Sequence, residues 1–127
     1  MSVRVELEAL RDQIDSFGPQ AFVVTVSPHG TPHVVSAVLR LQGDQLAVEV
    51  GRTSRANAAA HPAVTLLWSP GAGGEYSLIV DGTAEVGGDD GDGDAGTVTI
   101  EPTAAVLHRI PGALGDGPGC VPVLPRD

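Results

Sequence analysis

A cluster of polar and basic side chains in the middle of the chain has the composition of a phosphate site: Arg52, Thr53, Ser54, Arg55 and Asn57. The valine-rich, alternating segment 45–50 before it predicts a strand. The alanine-rich run behind it predicts a short helix that Pro62 ends and that a hydroxyl of Thr53 or Ser54 caps. Free N–H groups at a helix start, hydroxyls and guanidinium groups all bind phosphate. A solvated turn with surface arginines is the alternative interpretation.

Composition limits the classes of function. With 127 residues and 42% hydrophobic residues, the chain is expected to form one domain, 1–127, around one core. The net charge of −9, with seven arginines and no lysine, argues against nucleic acid and anionic membranes as partners. No apolar run approaches the ~20 residues of a membrane span. The charged N-terminus and the single Cys120 indicate a cytoplasmic protein.

The periodicity predicts an all-β chain with minor α structure. An N-terminal helix is expected over 3–16, within a segment 1–20, because Val3, Leu7, Leu10 and Ile14 share one helical face. Glycine-containing turns are expected at 28–31 and 43–44, and Gly82 predicts a bulge or a close backbone approach. The tail 111–127 is expected to be an extended arm. Six antiparallel strands forming a barrel over 21–110 are expected at 21–27, 32–42, 45–50, 63–68, 75–86 and 97–110.

Other chemistry-bearing residues do not form a recognisable site. The histidines lack partners at metal-ligand spacing, and the acidic loop 89–94 lacks the pattern and closing glutamate of an EF-hand. Nucleophile-elbow, Rossmann and Walker patterns are absent from the sequence. No metal site is therefore expected, and any redox chemistry would have to come from a bound cofactor.

The run PHGTPHVVSAVLRLQGDQLAVEVGRTSRANAAAHPAVTLLW resembles the pyridoxamine 5′-phosphate oxidase-like, FMN-binding split-barrel family. Similar members carry a D-G-x-P-H-V-V hairpin, a G-D/N-x-L strand, an S-R-K-x-x-N-L helix and a P-x-V-x-L-L strand. A later V-x-G-x-A-x-V strand is matched by Val80 to Val86. The resemblance covers about 21–86 and extends more loosely to 110. It implies a six-stranded split barrel with a short helix between strands 3 and 4, and a homodimer with cofactor grooves between subunits.

The resemblance also implies a set of cofactor-binding residues. The family serine aligns with Arg52, the family Arg-Lys pair with Thr53 and Ser54, and the family asparagine with Asn57, so Arg52 and Arg55 take the place of the basic pair. Trp68 is expected to be partly buried beside the groove or the dimer seam, with an ordinary core tryptophan as the alternative. The rest of the groove would be formed by Val35, Ser36, Ala37 and Val38 of the second strand and by Leu67 and Trp68 of the fourth.

Three functions remain open on this basis. The first is an FMN-dependent oxidoreductase of unknown substrate, and the second uses the deazaflavin coenzyme F-420 instead. The third is a cofactor-free split-barrel dimer that acts as a binding or structural module. In each case the long apolar strands 34–41 and 64–68 predict that a second copy of the chain covers one face of the barrel.

Overall fold

The computed structural model describes residues 2–70, 74–87 and 95–110 of the chain. It contains a 3-10 turn at Leu7–Ala9 and the helices α1, Leu10–Phe17, and α2, Arg52–Ala60. The strands are β1, Ser2–Arg4; β2, Gln20–Val26; β3, Pro32–Gln42; β4, Gln45–Gly51; β5, Ala63–Trp68; β6, Tyr76–Val86; and β7, Ala95–Arg109.

Six of the strands close into an antiparallel barrel. Their order is β7-β4-β3-β2-β5-β6, and β6 pairs with β7 to complete the ring. Helix α2 connects β4 to β5, which are the third and fourth barrel strands. The all-β split barrel and the position of its short helix are therefore confirmed. The predicted strand bounds agree to within about two residues, as expected for edges set by local turn residues.

The N-terminal segment corrects one prediction. The helix expected over 3–16 begins only at Leu10, and Ser2–Arg4 instead form a strand that pairs with β7 at 106–108. The physical reason is a free strand edge, because β4 pairs with β7 only up to Ile100 and leaves the end of β7 open on that side. Leu10 and Ile14 are buried as expected, whereas Val3 and Leu7 are each 48% exposed.

Glycines mark the tight points of the barrel. Gly43 has a φ of 64° in the two-residue turn from β3 to β4, which agrees with the predicted mirror-image turn. At Gly82 a Cβ atom would lie 2.6 Å from Ile100 Cγ2 and 2.8 Å from the Glu101 carbonyl oxygen. The β6–β7 register shifts between Asp81 and Gly82. The close approach predicted at Gly82 is thus confirmed.

The core lies inside the barrel and is made of alternate residues of its strands. Its most completely buried large apolar side chains are Leu46, Val48, Leu66, Trp68, Leu78, Val80 and Ile100. No helix in the described ranges is long and apolar enough to cross a membrane. The acidic loop 89–94, the tail 111–127 and Cys120 lie outside the described residues.

Candidate functional site

The candidate site lies where two barrel strands, β3 and β4, separate. β3 pairs with β4 only from Leu39 to Gln42. The rest of β3, from Pro32 to Val38, pairs with β2 on its other side. β4 pairs with β7 from Leu46 to Gly51, but beyond Val48 it no longer pairs with β3, and it then runs into α2. A gap therefore opens between the first half of β3 and the start of α2.

A cleft of about 370 Å³ occupies this gap. One wall of the cleft belongs to β3, and the facing wall belongs to the start of α2. Four residues predicted from the sequence come together here: Val35, Arg52, Thr53 and Ser54. Gly51 and His33 complete the lining. His33 was not predicted as a site residue, although its position two residues before Val35 places it on the same face of β3.

The first turn of α2 presents backbone donors to this cleft. The helix begins at Arg52 after the N-cap residue Gly51, which has extended backbone and no side chain that could cap. The predicted cap at Thr53 or Ser54 is therefore wrong, because both residues already lie inside the first helical turn. The first N–H groups of a helix have no partner within the helix. Their partial positive charge favours an anion at this end.

Three polar side chains of α2 are buried, and two of them hold the helix in place. Arg55 is 7% exposed, and its Nη1 donates to the Val50 carbonyl oxygen over 3.0 Å. The Nδ2 of Asn57 donates to Thr25 Oγ1 over 3.1 Å, so the helix is tied to β2. Neither residue belongs to the cleft lining, so in a single subunit both act as supports beneath the helix start.

Ser54 differs from these supports. It is 2% exposed and lines the cleft. No other described residue makes a hydrogen bond with its hydroxyl group, whereas Arg52 and Arg55 each have further interactions. Buried polar groups are nearly always hydrogen-bonded, and an unsatisfied one costs about 1–3 kcal/mol. Among the described residues, the Ser54 hydroxyl thus has no hydrogen-bond partner and is placed to bond a group bound in the cleft.

The remaining predicted site residues lie apart from the cleft. On β3, Ser36 and Val38 are exposed on the outside of the barrel, and Ala37 is half-buried against the core. Leu67 is half-buried opposite Phe22. Trp68 is 1% exposed, and its Nε1 donates to the Gly18 carbonyl oxygen over 2.9 Å. Trp68 is thus more deeply buried than expected and occupies the position of a core tryptophan.

A second cleft, of about 410 Å³, lies beneath α1, and its chemistry is different. Its floor includes Leu10 and Ile14, whereas its rim carries the carboxylates of Glu8, Asp12, Asp44 and Glu101. Arg11 also lines it and donates to the Gly43 carbonyl oxygen over 3.0 Å. An excess of carboxylates repels anions, so this cleft does not suit a phosphate. Within the described ranges, no group of three or more His, Cys, Asp or Glu is placed to hold a metal ion.

No family model matches the chain. Two curated relatives are the uncharacterized proteins Mb0449c of Mycobacterium bovis and MT0457 of Mycobacterium tuberculosis. Each is 34% identical over 116 residues, which is 84% of this chain and 81% of the relative. Similar solved structures include a putative pyridoxamine 5′-phosphate oxidase from Listeria innocua, with a TM-score of 0.61, 16% identity, and 77% and 97% of the two chains covered.

Two further structures share the architecture. An F-420 reductase has a TM-score of 0.56 and 20% identity, and the match covers 68% of this chain and 88% of the reductase. HutZ, the heme storage protein from Vibrio cholerae, has a TM-score of 0.64 and 13% identity, with 83% and 96% covered. The chain belongs to the same family as these two mycobacterial proteins, and it shares the split-barrel fold of the solved structures. At these identities the solved structures show a shared split-barrel fold, and the chemistry must be argued from the cleft of this split barrel itself.

Proposed function

We propose that this split barrel binds FMN and acts as a flavin-dependent oxidoreductase, with the phosphate of the cofactor at the start of α2. The observation that carries the proposal is the Ser54 hydroxyl, which is buried, lines the cleft and has no partner among the described residues. The first-turn N–H groups and Arg52 lie at the same end of the helix. Together they supply hydroxyl, backbone and guanidinium donors for one phosphate group.

The residues around the cleft have separate tasks in this proposal. Ser54, Thr53 and Arg52 hold the phosphate group, and Val35 gives the β3 wall an apolar surface. Arg55 and Asn57 keep the helix start in position from below. The bound flavin supplies the hydride and electron transfer, for which side chains have no equivalent.

The net charge of the chain bears on the choice of cofactor. At −9, the chain has few cations, and the anionic group of a ligand must be met by a few well-placed donors. FMN presents a single phosphate, whereas the deazaflavin coenzyme F-420 adds an acidic tail that this chain would repel. The alternative functions are an oxidoreductase that depends on coenzyme F-420 and a cofactor-free binding or structural module. A titration with FMN, riboflavin and coenzyme F-420 distinguishes the three functions.

A second copy of the chain is the proposed partner. The outer sheet face, defined here as Phe22, Val24, Val34, Val38, Leu67 and Ile79, carries apolar side chains on neighbouring strands. Phe22 is 39% exposed, Val34 55% and Val38 60%. Strands that are apolar on both faces are typical of sheets covered on both sides. Because β3 belongs to both the outer sheet face and the cleft, a second copy would lie next to the proposed cofactor.

The proposal is tested by titrating the protein with FMN, riboflavin and coenzyme F-420. Riboflavin has the ring system of FMN without the phosphate. A charge-assisted hydrogen bond contributes roughly 1.5–3 kcal/mol. Arg52→Ala should therefore weaken FMN binding about tenfold to a hundredfold, and Ser54→Ala by a smaller factor. Riboflavin affinity should change little in either variant.

The matched control is Arg4→Ala, which removes an exposed arginine on β1, away from the cleft. It should leave both affinities unchanged. Equal losses of FMN and riboflavin in Arg52→Ala would contradict a phosphate role for this residue. Tighter binding of coenzyme F-420 than of FMN would favour the deazaflavin function, and no binding of any of the three would favour the cofactor-free module.

A further inference from the structure

His33 forms part of the cleft wall that faces the start of α2. It is half-buried and lines the cleft together with Arg52, Thr53 and Ser54. Its cross-strand partner on β2 is Thr25, which accepts the hydrogen bond from Asn57 of α2. The buried hydrogen bond between Asn57 and Thr25 therefore also holds α2 next to the part of the sheet that carries His33.

The charged groups around His33 leave an anion as its suitable partner. On α2 these groups are Arg52, which lines the cleft, and Arg55, which is buried beneath it. On β4 the charged residue nearest the cleft in sequence is Glu49, which is exposed, and the turn before β3 carries the exposed His29. Among the described residues that line the cleft there is no carboxylate. The described lining therefore presents His33, Arg52 and two hydroxyl groups, which suit a bound anion.

We propose that His33 is a ligand of the anionic phosphate from the β3 wall. The inference rests on the proposed function, because it concerns the same phosphate group. It adds a residue from the opposite wall of the cleft, so that the phosphate is held from both sides.

The expected effect of His33 follows from its donor group. An imidazole N–H can donate a hydrogen bond to a phosphate oxygen. Hydrogen bonds to a charged group are stronger than those between neutral groups, so loss of the imidazole should weaken the binding of a phosphate roughly tenfold.

The experiment measures the dissociation constants of FMN and riboflavin. Wild type, His33→Ala and the control His61→Ala are compared, since His61 is exposed at the far end of α2. His33→Ala should bind FMN roughly tenfold more weakly than wild type, whereas its affinity for riboflavin should stay within about twofold. His61→Ala should bind both ligands as wild type does.

Sulfate provides a probe of the anion site without a flavin ring. It should compete with FMN in wild type, and it should compete more weakly in His33→Ala. Unchanged FMN affinity in His33→Ala, or equal losses of FMN and riboflavin affinity, would overturn the role of His33 and leave the proposed function intact. Failure of the wild type to bind FMN would overturn both proposals.

Discussion

At the scale of single residues, the two arginines of the central cluster have different surroundings. Arg52 is exposed and lines the cleft. Arg55 is buried, and its side chain lies so close to Gly96 that a Cβ atom there would be 2.9 Å from Arg55 Cδ. The sequence places both arginines one helical turn apart, but it does not reveal which one faces inward, because that depends on where β7 passes. The phosphate role assigned to Arg55 from the resemblance stays a prediction.

Loss of Arg55 should affect stability before it affects binding. Arg55→Ala removes a buried donor and leaves the Val50 carbonyl oxygen without that bond, so the free energy of unfolding should fall by about 2 kcal/mol or more. Urea unfolding measures this change. Gly96→Ala should also destabilise the protein, because it forces Arg55 to move, whereas Arg4→Ala should have little effect. If Arg55→Ala were as stable as wild type but bound FMN at least tenfold more weakly, Arg55 would be a phosphate ligand after all.

At the scale of elements, local patterns predicted most of the strands but not every partner. Alternation and turn glycines located β3 and β4, since Gly43 fixes both the end of one strand and the start of the next. β1 could not be predicted in this way, because its three residues form a strand only by pairing with β7, more than a hundred residues later. The cleft was not predictable from local pattern either, because it lies where β3 pairs with β2 but no longer with β4.

The docking of α2 on β2 can be tested with a double-mutant cycle. Asn57→Ala and Thr25→Val each remove one partner of a buried hydrogen bond, and each should lower the free energy of unfolding by about 1–3 kcal/mol. The double variant should be destabilised by less than the sum of the two single variants. It removes both partners of the hydrogen bond, so neither polar group is left unsatisfied. Urea unfolding of the four proteins gives the coupling energy. Additivity within about 0.3–0.5 kcal/mol would show that the bond does not fix the helix.

At the scale of the whole molecule, the barrel has apolar residues both inside and outside. β3 carries Val35, Ala37 and Leu39 towards the core and Val34 and Val38 outwards. Its neighbours extend the outer sheet face through the pairs Phe22 with Leu67 and Leu67 with Ile79. The sequence shows this apolar surplus, because residues 34–39 are all valine, alanine or leucine except Ser36. The sequence alone does not show which of the two faces of β3 points into the barrel, because that depends on how the strands pair.

The outer sheet face should join two copies of the chain. Light scattering at micromolar concentration should give twice the 12.9 kDa mass of one chain. Val38→Glu places a carboxylate at the most exposed apolar position of this face, and burial of an unpaired charge between subunits is strongly unfavourable, so the variant should be a folded monomer. Leu7→Glu is the control, because Leu7 is also exposed but lies in the 3-10 turn before α1. A wild type with the mass of one chain, or a Val38→Glu variant that remains dimeric, would contradict this assembly. If the cofactor lies beside the interface, Val38→Glu should also weaken FMN binding, whereas Leu7→Glu should not.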